Sequence, residues 1–427
     1  MRADKTPAHV IVVGAGSAGL AAARELARAG RRVTVLEARE RCGGRILPLS
    51  TAEFGYPTEG GAEFIHGAAP VTLELMRDAG LRTQPRGGTR WSRLAGHWTA
   101  AERKLPHADR FFAELARIRT DLPIAEFLER HFAGPAYTEL RRRITRTVEG
   151  YDAADPKRAS TLALREEWLA QGEEHGRIAG GYGALIDYLC ADSVRHGATI
   201  RFGAAVGAIE ETGDGVLVRC RDGQALEAGG VVLTVPLPIL SELNLPPLAA
   251  ARAAVVADIG FGNVIKFLFR FASAWWTEWQ GEDRRDLAFV LSDAAGVPTW
   301  WSQYPQPYPV LTGWCAGPRA DRVAALSGAE LIGLGLKDLA EIFDETPERI
   351  ESRLVAGHAI NWGADPFARG AYSYATVGTR HAQAVLRQPA GRVFFSGEAL
   401  YTGPDMGTVE AALASGRDTA RLLLASP

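Results

Sequence analysis

The run His9-Val-Ile-Val-Val-Gly14-Ala-Gly16-Ser-Ala-Gly19-Leu-Ala-Ala-Ala-Arg24 constrains the fold more than any other feature of the chain. Four apolar residues, Val10 to Val13, read as a parallel strand buried on both faces. Three glycines follow, and then an Ala-rich stretch of high helical propensity. The spacing predicts a strand, a tight turn and a helix whose first N–H groups, around Ser17 and Ala18, face a pyrophosphate. In this reading Gly14 permits the turn, Gly16 lets backbone approach the phosphates, and Gly19 lets helix and strand pack closely. A second apolar run, Arg32 to Leu36, ends in Glu37, placed to accept hydrogen bonds from ribose hydroxyls. An incidental Gly-rich turn would explain the glycines but neither the flanking elements nor the acid.

The next segment, Ala38-Arg39-Glu-Arg41-Cys42-Gly43-Gly44-Arg45, adds a second glycine pair and three arginines. It can run along a long cofactor, supplying backbone donors and positive charge to phosphates. The stretch Gly60-Gly61-Ala62-Glu63-Phe64-Ile65-His66-Gly67 is expected to return the chain to that cofactor.

At 427 residues the chain is long enough for two or more domains. A formal charge of −2 argues against nucleic acid or an anionic membrane surface as partner. Residues Met1 to Pro7 lack the apolar segment of a secretory signal, and no run is long and apolar enough to span a bilayer, so a cytoplasmic location is expected. Four cysteines (Cys42, Cys190, Cys220, Cys315) match no metal-ligand spacing and read as free thiols.

The pattern predicts helices from about Val71 to Arg177. Strands are predicted at Arg201-Phe202, Val206–Ile209, Gly215–Val218, Gly230–Val235, Val264–Phe269 and Val393–Phe395, with a closing helix from about Thr408. Residues 259–364 hold a dense set of aromatics, most of which are expected to fill a core. The expected class is α/β and α+β. A Rossmann FAD-binding domain (1–70, 178–258 and 365–427) would be interleaved with a mixed-sheet and helical substrate-binding domain (71–177 and 259–364), with the cleft between them.

Over essentially its whole length the chain resembles the flavin-containing monoamine oxidase superfamily, which includes polyamine oxidases, L-amino acid oxidases and lysine-specific histone demethylases. The resemblance rests on Ile11–Arg45, Gly60–Gly67, Pro236, Lys266, Asp365–Tyr374 and Ser396–Arg417. It implies a GR2-type Rossmann domain. Its motifs are closest to polyamine and spermine oxidases and to the amine-oxidase domain of the histone demethylases. A lysine inside the apolar strand around Lys266 is costly to bury without a partner. The resemblance assigns it to holding a water near flavin N5, the alternative being an edge-strand lysine facing water. Tyr372 matches one wall of the family's aromatic cage, which stabilises a cation by its ring face. Thr408 stands where monoamine oxidases carry the second tyrosine. Ala371 replaces the cysteine that attaches flavin covalently in mammalian monoamine oxidases, so FAD is expected to be noncovalent. His66 matches a substrate-facing histidine of the polyamine oxidases, the alternative being a core residue. Gly397, Glu398 and Val409 are expected to meet the flavin or its ribityl chain, with Val206, Pro236 and Trp362 completing the cofactor contacts. Glu410 reads alternatively as a plain first-turn acid. Glu166, Glu167, Glu173 and Glu174 are candidates for contacting a polycation, against the alternative of a solvated helix face.

The implied function is an FAD-dependent amine oxidase, foremost a polyamine oxidase. Hydride would pass from the amine α-carbon to flavin N5, and molecular oxygen would then accept the electrons to give hydrogen peroxide beside an imine or aldehyde. Alternatives are a monoamine oxidase, an L-amino acid oxidase with an arginine clamp, and a non-catalytic flavin-binding protein.

Overall fold

The structure is a computed structural model that describes residues 9–100, 104–170 and 176–426. The reading of Met1 to Pro7 and the candidates Glu173 and Glu174 lie outside these residues.

The strand His9–Val13 is the centre of a five-stranded parallel sheet. It pairs with Arg32–Leu36 on one side, Val12 opposite Val35, and with Gly230–Leu233 on the other. Val393–Phe395 and Thr199–Arg201 form the two edges. The third strand was expected at Arg201-Phe202 and lies two residues earlier. Val10 to Val13 are all but fully buried, as a continuous apolar run predicts for a strand covered on both faces. The turn after it has Gly14 at φ +105°, a conformation that side chains rarely adopt. A Cβ on Gly19 would lie 1.9 Å from the Gly14 carbonyl oxygen, so the helix Ser17–Arg28 can start here only with glycine. That helix packs against Gly181–Arg195 and the last helix, Val409–Ala425. Buried Arg24 ties it to Asp192 at 2.7 Å and to Asp78 at 2.7 Å.

A seven-stranded mixed sheet holds the second core. Its order is Leu354–Asn361, Val264–Phe271, Val310–Ala316, Thr299–Trp301, Leu287–Ser292, Thr89–Leu94 and His97–Ala100. The last two strands correct the expectation that 71–177 is helical. They form a hairpin whose turn residues Ala95 and Gly96 both have positive φ, the geometry that matches strand twist in two-residue turns. Its sequence, Thr-Arg-Trp-Ser-Arg-Leu, carries too few apolar residues to show the alternation of a strand. The helices Ala108–Arg117, Ile124–Phe132, Thr138–Gly150 and Thr161–Leu169 appear as expected and enclose their own core around Phe111, Phe127 and Phe132. The aromatic-rich segment divides: Trp276 and Trp300 fill the core of the mixed sheet, whereas Trp301, Trp314 and Trp362 line a cavity. Among the described residues no helix is long and apolar enough to cross a membrane.

Candidate active site

A cavity of about 1370 Å³ opens between the parallel and mixed sheets. Every expected cofactor residue lines it except Gly19, which packs behind the turn. On its wall, Gly16 and Ser17 begin the first helix and leave N–H groups unclaimed by that helix. A Cβ on Gly16 would meet nothing nearer than 4.0 Å, so the backbone there is bare toward the cavity. Glu37 lies at the end of its strand with its carboxylate fixed by the Ala15 N–H at 2.7 Å and the Arg39 N–H at 2.8 Å. Each carboxylate oxygen keeps a lone pair for a ribose hydroxyl.

The three arginines of the second glycine segment do different work. Arg41 donates to the carbonyls of Cys42, Gly44 and Ile46 and so straps its own loop. It is therefore not the phosphate ligand the sequence left open. Arg39 pairs with Asp365 at 2.5 Å and lies over the Phe367 ring. Arg45 donates to the Ala371 carbonyl at 2.8 Å and to Glu398 at 2.9 Å. Glu398 is buried, which raises its pKa, but Arg45 and the N–H groups of Ser373 and Ala399 outweigh this and hold it below its ordinary value. Its carboxylate thus positions Arg45 at the cavity wall. A donor set of bare helix N-terminus, ribose-facing acid, two positioned arginines and a second helix end fits a flavin dinucleotide.

Lys266 sits in Val264–Phe271, flanked on both sides by strands and 1% exposed, which overturns the edge-strand alternative. Its ammonium donates to the Glu59 carbonyl at 2.7 Å, the Gly61 carbonyl at 3.0 Å and Glu63 Oε2 at 2.8 Å. All three N–H bonds are therefore spoken for, and holding a water would require one of them to be exchanged. Glu63, read as a cofactor contact, is the hub of this cluster. It also accepts from Arg177 Nε at 2.8 Å and from the Trp301 indole at 3.1 Å. Burial pushes its pKa up, but Lys266 and Arg177 prevail and hold it down to about 2. Glu59, one strand residue before the bend, is pushed up to about 7 by burial, only partly offset by the Gly183 N–H and Lys266. Sequence reasoning missed Glu59, although it directly precedes the Gly60–Gly67 stretch, and Arg177, which lies in a two-residue strand without a motif.

Tyr372 stands at the end of a short strand beside the cavity. Its ring stacks on Trp314 with centroids 6.4 Å apart and planes 21° apart, and Trp301 lies next in line at 5.9 Å. Its hydroxyl donates to the Tyr151 carbonyl at 2.6 Å, fixing the ring. His66 lines the same space, 3.2 Å from the Tyr151 hydroxyl. Thr408 provides no second wall of aromatic kind. Its hydroxyl accepts from the Ala411 N–H and donates to the Asp405 carbonyl, capping Val409–Ala425 so that the helix start faces the cavity. Glu410 is more than a plain first-turn acid: it accepts from Val71 and Thr72 and caps the helix Pro70–Asp78.

Around Tyr372 the cavity wall carries Asp152, Glu167 and Asp405. The carboxyl groups of Asp152 and Glu167 act on each other electrostatically. Burial and the Glu167 charge push Asp152 well above its ordinary value, and burial pushes Glu167 up to about 7. Asp152 Oδ2 is buried with no partner among the described residues. Of the sequence candidates only Glu167 joins this cluster. Glu166 is exposed in part and pairs with Arg380. Asp152, missed from the sequence, follows the helix Thr138–Gly150 in a turn without motif.

The profile of the flavin containing amine oxidoreductase family matches residues 17–424. The chain is 29% identical to polyamine oxidase 4 of Oryza sativa subsp. japonica, over 96% of this chain and 87% of that protein. It is 27% identical to lysine-specific histone demethylase 2 of Homo sapiens, over 91% of this chain and 50% of that protein. Among solved structures, a putrescine oxidase bound to putrescine superposes with TM-score 0.80 at 21% identity, covering 98% of this chain and 99% of the other. Cyclohexylamine oxidase from Brevibacterium oxydans IH-35A gives 0.79 at 22% identity, covering 97% and 98%.

Proposed function

As the chain belongs to the flavin-containing amine oxidoreductases and is an FAD-dependent amine oxidase acting on C–N bonds, we propose that its substrate is a polyamine or diamine whose far ammonium is held by Asp152 and Glu167. Bound FAD, which Ala371 gives no nucleophile to attach, supplies the two-electron acceptor. The observation that carries the reading is the half-buried carboxyl pair, with the buried Asp152 Oδ2 lacking a partner among the described residues, on the wall that also carries Tyr372. A carboxyl of this pair that is protonated in the free protein would release its proton to solvent when the far ammonium arrives, because the ammonium replaces the proton as counter-charge.

In this proposal Tyr372 and Trp314 flank the reacting amine and orient its α-carbon, while their rings exclude water. His66 accepts a hydrogen bond from a nitrogen of the chain. The Glu63–Lys266–Arg177 cluster holds the backbone of Glu59 and Gly61 against the cofactor side of the cavity. The segments 1–70, 178–258 and 365–427 act as the cofactor domain and the remainder as the substrate domain. Molecular oxygen is the proposed acceptor from the reduced enzyme, with hydrogen peroxide and an imine, hydrolysed to aldehyde, as products.

A second reading has one observation in its favour. Arg146 lines the cavity with Nη2 buried and without a partner among the described residues, and burial with Arg319 and Arg142 nearby pushes it down to about 10. Such a guanidinium suits a substrate carboxylate, as in an L-amino acid. Anaerobic loss of the oxidised-flavin absorbance decides between them. Bleaching by spermidine or putrescine, slowed at least about tenfold in Asp152→Asn, is expected. Bleaching by L-amino acids alone, with no response to any polyamine, overturns the proposal in favour of Arg146.

A further inference from the structure

Cys42 lies in the cofactor loop between the strapping Arg41 and Gly43, and Cys190 lies on the helix Gly181–Arg195 behind it. Although 148 residues apart, their sulfurs are 3.4 Å from each other. Both are free and partly exposed, whereas Cys220 and Cys315 are buried. We propose that Cys42 and Cys190 are a modification site: a dithiol that a hydroperoxide closes to a disulfide, locking the cofactor loop onto the helix. A disulfide of about 2.05 Å requires the sulfurs to approach by about 1.4 Å, a step within reach of side-chain rotation.

The position gives the bond its consequence. Gly43 donates to the Ala15 carbonyl at 2.8 Å and bridges to Gly16, so the loop containing Cys42 is one wall of the phosphate-facing turn. Glu37, Arg39 and Arg45 lie on either side of Cys42 within the same loop. A dinucleotide leaving this turn must part the loop from the first helix, and such local openings are what a cross-link suppresses. The rest of the loop's tether is the Arg41 strap and ordinary hydrogen bonds.

The chemistry balances with the peroxide as sole oxidant. The Cys190 thiolate attacks one peroxide oxygen, the O–O bond breaks, and water departs after taking a proton, leaving a sulfenic acid. The Cys42 thiolate then attacks the Cys190 sulfur and expels hydroxide, which takes the remaining proton. Two thiols and one hydrogen peroxide become one disulfide and two waters. The hydrogen bond from the Cys42 thiol pulls Cys190 down to about 7 and pushes Cys42 up, so Cys190 is the first nucleophile near neutrality.

The test treats the FAD-loaded enzyme with hydrogen peroxide, maps thiols and cross-links by mass spectrometry without reductant, and follows FAD release by recovery of its fluorescence on dilution. The expected result is a Cys42–Cys190 link, reversed by dithiothreitol, with FAD release slowed about threefold or more. Cys42→Ser and Cys190→Ser should each abolish the link and the peroxide effect on release. Mapping of the unsubstituted protein decides the matter even where a serine variant folds poorly. Thiols that stay reduced, or that pass to sulfinic acid without a link, overturn the proposal. A link with unchanged FAD release overturns the locking of the loop.

Discussion

Replacing Glu63 by glutamine removes one charge and leaves two buried cations facing it. Glu63 is 7% exposed at its side chain, Lys266 1% and Arg177 9%. Breaking a buried pair from one side costs about 3–5 kcal/mol, because the remaining charge stays desolvated. Proton linkage gives a similar figure. A fall in pKa from 4.5 to about 2 corresponds to about 3 kcal/mol of folded-state preference for the carboxylate. Because the folded value lies below the ordinary one, this stabilisation is complete above pH 4.5 and is lost as the pH falls toward 2. The glutamine amide adds a donor where Lys266, Arg177, Trp301 and Gln303 already donate, so it is no isosteric rescue. Urea unfolding of the holoenzyme at fixed FAD concentration, at pH 7 and again at pH 4, measures the loss. Adding Lys266→Met should recover part of it, since the pair then becomes neutral together. A Glu63→Gln loss under about 1 kcal/mol, with no coupling to Lys266→Met, would refute the reasoning.

Glu398→Gln should free Arg45 from its place and weaken FAD binding about tenfold, read by fluorescence titration of the apoprotein, and at saturating FAD should lower the stability of the loaded form by about 1.4 kcal/mol through the weaker binding. Thr408→Ala should cost about 1 kcal/mol of stability through the lost helix cap, with amine oxidation retained, because its hydroxyl is used in capping. Gly19→Ala should yield no FAD-binding protein, since its Cβ would lie 1.9 Å from the Gly14 carbonyl oxygen; soluble yellow protein at normal yield would contradict the packing. Binding of a slow diamine analogue should release a proton and weaken as the pH falls through about 7, where the raised Glu167 carboxyl takes up its proton. Calorimetry in buffers of different ionisation enthalpy checks this, and Asp152→Asn should flatten the dependence.

The cofactor half of the molecule was legible because its signals are local. Strand, turn, helix and acid from Val10 to Glu37 lie within about one βαβ unit, and each residue type has its own mechanical reason there. The hairpin Thr89–Ala100 was not legible, because its strands are polar and its one clear cue is the turn residue Gly96. Arg41 and Glu398 show the limit in another way. Residue type and motif placed both beside the cofactor, but only the fold shows that one straps a loop and the other holds Arg45.

What the chain determines by itself is the dinucleotide site, whose strand, turn, helix and acid follow from residue identities read along a continuous stretch. The aromatic wall at Tyr372 and the noncovalent attachment expected from Ala371 came through the family resemblance, and the burial of Lys266 had to await the fold. Tertiary structure alone decided the pairings: Glu63 with Lys266 and Arg177, Asp152 with Glu167, and Cys42 with Cys190. Charge, desolvation and proton affinity depend on distances of a few ångströms between side chains that are up to hundreds of residues apart in sequence. No periodicity or spacing carries those distances, and only tertiary packing of strands, helices and loops brings them about.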